Sequence, residues 1–87
     1  MSSEDIRLGK LLATWRTSAG LSQAAIAETL SIQQSTVSKL EAGSCKLSVT
    51  QLVSFLHACG LDLPQVSTAI TDALNTYNLP LWERSDD

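Results

Sequence analysis

The sequence predicts an all-α fold, a compact bundle of about five helices in a single domain. Three observations carry this expectation. Apolar residues recur at spacings of three and four through successive stretches of the chain, the signature of helices that bury one face. The composition is 44% hydrophobic with only 5% aromatic, which suits a small helical bundle rather than a disordered chain. A length of 87 residues is enough for one core and too little for a second.

Ser2-Ser3-Glu4-Asp5 reads as a helix start, with a hydroxyl cap and two acids where the helix dipole favours them. Leu8, Leu11, Leu12, Trp15 and Ala19 then repeat at helical spacing, so the first helix runs from about residue 4 to 18 and stops at Gly20. Trp15 lies on that stripe and reads as a core anchor; presentation to a ligand is the alternative reading.

The stretch from Leu21 to Gly43 has apolar residues at 21, 24, 26, 27, 30, 32, 37 and 40. No single straight helix puts these on one face, but two short helices meeting at Ser31 do. Ser22 is the cap of the first, in which Ala24, Ala27 and Leu30 form the inward stripe and Ile26 flanks it. In the second, Val37 and Leu40 point inward and Ile32 closes the turn. Gln34, Ser35, Ser38 and Lys39 are left exposed, a strip of amides and hydroxyls with one positive charge. Such groups match the edges of base pairs better than a membrane or an apolar partner.

Beyond Ala42-Gly43, a loop leads to Ser48 as the cap of a fourth helix filled by Leu52, Val53, Phe55, Leu56 and Cys59 before Gly60. Asp62-Leu63-Pro64-Gln65 starts the fifth with an acid cap, an early proline and a glutamine at the third position. Leu63, Val66, Ile70, Ala73, Leu74 and Tyr77 carry it to about residue 77. A helix so apolar offers more surface than four helices cover. Ile70, Leu74, Tyr77, Leu79, Leu81 and Trp82 are therefore expected to form a dimer contact, with folding of the tail back onto its own domain as the alternative. The domain spans residues 1–82, with 62–82 as the C-terminal helix and dimerisation segment, and 83–87 is expected to be a disordered tail.

The ordered set Gly20-Leu21-Ser22-Gln23, Ala27, Gln34-Ser35-Thr36-Val37-Ser38-Lys39-Leu40-Glu41 and Ala42-Gly43 resembles the helix-turn-helix of the phage lambda repressor and Cro type, also called the xenobiotic-response-element type. The likeness runs from about Leu8 to Leu63. It implies a recognition helix in the major groove of DNA, with Gln34, Ser35, Ser38 and Lys39 toward bases and Ser22, Gln23, Thr36 and Lys46 on phosphates. Lys39 is open to a guanine or a phosphate. Arg16 invites a phosphate role from its charge alone, whereas the resemblance implies a structural ion pair with Glu41, tying the first helix to the end of the recognition helix. The chain departs from the family at Ser31, where glycine is usual, and at Gln33, where the cap is usually Ser or Thr. A serine at such a turn either takes the left-handed conformation at a cost of roughly 1 kcal/mol or changes the turn.

The net charge of −3 taken alone argues against nucleic acid. Its distribution matters more, because the acidity is mostly in the tail. Residues 1–61 carry five basic against four acidic groups, net +1, while residues 62–87 carry one against five, net −4. There is no apolar run near eighteen residues and no basic start followed by an apolar signal core, so a cytoplasmic protein is expected. Cys45, Cys59 and the single His57 cannot complete a four-ligand zinc site, and two free thiols are expected; neither metal nor cofactor is implied. With one histidine, no paired acids in a plausible cleft and no glycine-rich phosphate loop, an enzyme is not expected.

The leading expectation is a sequence-specific, dimeric DNA-binding transcriptional regulator, most simply a repressor on an inverted-repeat operator. The alternative is an antitoxin-type interaction module whose acidic C-terminal region binds a partner protein such as a toxin, while the same helix-turn-helix binds DNA.

Overall fold

Four of the described helices end with one hydrogen-bond pattern, which turns the chain tightly toward the next helix. The computed structural model describes residues 3–74, in which α1 spans Ser3–Ser18, α2 Gln23–Leu30, α3 Gln34–Ala42, α4 Val49–Ala58 and α5 Leu63–Leu74. At Gly20, Ser31, Gly43 and Gly60 the N–H bonds back three residues and the following N–H bonds back five, as in Leu21 to Arg16 (3.1 Å), Ile32 to Ala27 (3.0 Å), Ser44 to Lys39 (3.0 Å) and Leu61 to Leu56 (2.8 Å). The closing residue is left-handed in each case, and only Ser31, at φ 56° and ψ 42°, is not a glycine. The turn therefore keeps its geometry and Ser31 bears the strain.

Helix starts are equally local. Ser22 Oγ accepts the Ala25 N–H (3.0 Å). Ser48 and Gln51 form a reciprocal capping box, and Asp62 and Gln65 exchange the same pair of bonds at 3.1 and 2.8 Å. Gln33 occupies the cap position of α3 without making a side-chain cap bond.

The core lies where α1, α2, α3 and α4 converge, on Leu12, Ile26, Ala27, Val37, Leu40 and Phe55, with Trp15, Leu21, Leu30, Leu47, Leu52 and both cysteines packed around it. Trp15 thus contributes to the core from its edge. Two expectations about inward faces need correction. On α2 the buried residue is Ile26, fully enclosed, and Ala24 is exposed, because α3 and α4 cover the helix from two sides and rotate its buried arc onto Ile26, Ala27 and Leu30. On α4, Val53 lies on the outer side with Val49, 37% and 73% exposed, while Phe55 and Leu56 are enclosed.

Helix α5 lies along α1, burying Val66 and half-burying Ala69, Ile70, Ala73 and Leu74. Arg7 Nη1 donates to the Ala73 carbonyl across this contact (3.3 Å). Tyr77, Leu79, Leu81 and Trp82, together with the expected disordered tail, fall outside the described residues.

Gly9 decides how closely α1 approaches α3. A methyl group there would meet the main-chain carbonyls of Glu41 and Leu40, the latter at 2.8 Å, so the two helices touch backbone to backbone. No sequence pattern marked this position. Gly43 makes the matching approach, with Ile6 Cα 2.7 Å from where its Cβ would stand.

Candidate nucleic-acid interface

Helix α3 presents one face to solvent and commits the other to the core. Val37 and Leu40 are buried, while Gln34, Ser35, Ser38 and Lys39, spaced one and four apart, are all exposed along the outer side. Thr36 is half-buried at the edge of that strip. The N-terminal end of the strip carries an additional contact, in which Ser35 Oγ donates to Gln33 Oε1 (3.3 Å).

The far end of α3 is held by charge. Arg16 and Glu41 form a two-pronged ion pair, Nε to Oε2 at 2.6 Å and Nη2 to Oε1 at 3.1 Å, with side chains only 13% and 7% exposed. The third arm of the guanidinium donates to the Leu21 carbonyl (2.8 Å), and Gln23 Nε2 donates to Glu41 Oε1 (3.0 Å). The hydrogen bond to Glu41 chiefly holds the Arg16 guanidinium above its already high ordinary value, against the opposing effect of burial. The pair ties α1 to the C-terminus of α3, and Gln23 joins α2 to it.

Of the residues expected on phosphates, Ser22 is exposed and caps α2, Lys46 is exposed in the loop after α3, and Gln23 is half-buried with its amide already donating to Glu41. That bond was not legible in the sequence, since nothing local relates residue 23 to residue 41. Cys45 and Cys59 are free thiols, each half-buried, and His57 is exposed. Among the described residues no three His, Cys, Asp or Glu side chains come together as a metal-binding group. Among them, too, no helix is long and apolar enough to cross a membrane.

Two short helices joined by a tight turn, the second with an exposed polar face and its C-terminal end held by the Arg16–Glu41 pair, define a helix-turn-helix of the DNA-binding class. Residues 7–80 match the model of a family described as helix-turn-helix domain, and the chain belongs to that family. Among solved structures it is similar to the clp gene regulator ClgR from C. glutamicum, at 25% identity and a TM-score of 0.72, over 82% of this chain and 91% of that one. No curated protein matches the chain significantly.

Proposed function

We propose that the protein is a transcriptional regulator that binds DNA as a dimer, and most simply a repressor that covers a promoter at an inverted-repeat operator. The observation that carries this reading is the exposed strip on α3, uncharged except for Lys39, on a helix whose opposite face and C-terminal end are both fixed to the core. A rigid helix with amide and hydroxyl groups outward is suited to reading base edges. Gln34 offers its amide to an adenine, Ser35 and Ser38 face neighbouring bases, and Lys39 meets a guanine or a phosphate. Ser22, Gln23, Thr36 and Lys46 set register on the backbone, Gln23 by turning its amide from Glu41 or sharing it. The likeness to a gene regulator supports the same reading.

One recognition helix reads only a few base pairs, so a symmetric pair is needed to select one site in a genome. The half-buried Ile70 and Leu74 on α5, with Tyr77, Leu79, Leu81 and Trp82 after them, are the surface we assign to the pairing. Half-site centres then lie about 10 base pairs, or 34 Å, apart. The cytoplasm is the compartment in which such a protein acts. The partner-protein reading rests on the acidity of residues 62–87 and makes a different demand, the co-purification of a second protein in stoichiometric amount.

Selection of bound sequences from a random duplex pool tests the proposal. The intact chain is expected to enrich an inverted repeat, and Gln34→Ala to lose preference at one position of each half-site, while Lys46→Ala weakens binding to all sequences alike. Enrichment of no sequence would refute the reading, and a monomeric intact chain at high concentration would refute the dimer.

A further inference from the structure

Gln33 stands where a capping side chain belongs and does not cap. Its backbone is extended, at φ −75° and ψ 148°, as a cap residue requires, yet its side chain makes no cap bond to a backbone N–H of α3. The amide oxygen is used differently, accepting the hydroxyl proton of Ser35 at 3.3 Å, with both side chains exposed.

This contact changes what each group can offer to a ligand. A glutamine in solvent loses considerable rotamer freedom when it is ordered, and a bond from a neighbour two residues along removes part of that loss before any ligand arrives. The amide keeps one lone pair on Oε1 and both hydrogens on Nε2, an adjacent acceptor and donor. That pair complements the N6 donor and N7 acceptor of adenine in the major groove. The Ser35 hydroxyl has a single proton, and it is spent on Gln33. Ser35 is therefore left without a donor of its own for a base. The N-terminal residues of a recognition helix are the ones that reach base edges, and Gln33 directly precedes the first of them.

We propose that Gln33 is a base-reading residue in addition to the α3 strip, and that Ser35 is a positioning residue that acts through it, the two together reading one adenine per half-site. This rests on the DNA-binding reading above and revises the role of Ser35 within it.

The test is sequence selection with the full chain carrying Gln33→Ala, Ser35→Ala, Ser35→Thr or the Gln33→Ala/Ser35→Ala pair. Gln33→Ala is expected to reduce preference for adenine at one position per half-site by about 5- to 150-fold. Ser35→Ala weakens preference at that same position by less, and Ser35→Thr, which keeps the hydroxyl, retains it. In the double variant the second change adds nothing, a coupling that a merely structural serine would not produce. The proposal is overturned if Gln33→Ala leaves every position unchanged, if Ser35→Ala acts at a different position, or if the two effects add. Failure of the underlying reading is distinct, because then the unaltered chain itself enriches no sequence. All these positions are on the surface, and unchanged circular dichroism confirms that each variant is folded.

Discussion

Gly9 and Glu41 meet backbone to backbone, the Cα of one helix facing the last carbonyls of another with no room for a methyl group between them. The same Glu41 holds Arg16 two turns further along α1, so one residue at the end of α3 takes both a steric and an ionic contact from a single helix. The orientation of α3 against α1 follows from this double attachment.

Gly9→Ala separates packing from propensity. By helix propensity alone, alanine in the middle of α1 should stabilise by about 1 kcal/mol. The obstructing atoms are main-chain carbonyls that cannot swing aside, so the variant is expected to lose about 2 kcal/mol or more in chemical denaturation. A more stable variant would show that α1 and α3 tolerate separation at this point.

Removing one partner of the Arg16–Glu41 pair should be costly, because the other charge stays largely enclosed. Glu41→Gln is expected to destabilise by about 3 kcal/mol, and Arg16→Met with Glu41→Leu to recover much of that loss, since an apolar pair of similar volume leaves no charge unpaired. A double-mutant cycle in urea measures the coupling. Additive losses would mean that the two side chains act independently.

At the turn, Ser31→Gly should stabilise by about 1 kcal/mol, raising the midpoint of thermal unfolding by several degrees. The serine takes a left-handed conformation that glycine adopts without steric cost, and the turn's hydrogen bonds from residues 31 and 32 are main-chain bonds that survive the change. No gain would mean that the hydroxyl contributes something that offsets the strain.

Burial pushes the Cys59 thiol above its ordinary value of 9.0; Arg16 draws it back, and Glu41 adds to the rise. The folded state thus holds the thiol proton more tightly than the unfolded chain. The resulting stabilisation is complete below pH 9 and is lost as pH climbs through the folded value. Alkylation of Cys59, followed by peptide mass, should be slower in the native protein than in the unfolded chain at pH 9, and Cys59→Ala should flatten the decline of stability above that pH. Equal rates in the two states would contradict the shift.

Most of the helix boundaries were legible in the sequence because their causes are local. Ser22, Ser48 and Asp62 each cap the turn that follows them, Gly20, Gly43 and Gly60 each close the turn before them, and no distant residue is needed for either effect. The outward strip of α3 was legible for the same reason: Val37 and Leu40 fix the inner face, and a helix then leaves Gln34, Ser35, Ser38 and Lys39 no other side.

What the tertiary structure decided involves groups that sequence distance keeps apart. Periodicity put Ala24 on the inward stripe of α2 with Ile26 only flanking it, and it is the packing of α3 and α4 against the helix that assigns the core to Ile26 and leaves Ala24 exposed. Nothing beside it along the chain gives Gly9 a role, which comes from α3 lying across it. Gln23 acquires a carboxylate partner from a helix eighteen residues away. Caps and periodicities depend on a residue's nearest neighbours along the chain, so the sequence contains them; the rotation of a buried face, the closeness of two backbones and the partner of a long amide depend on how helices pack, and exist only once they have.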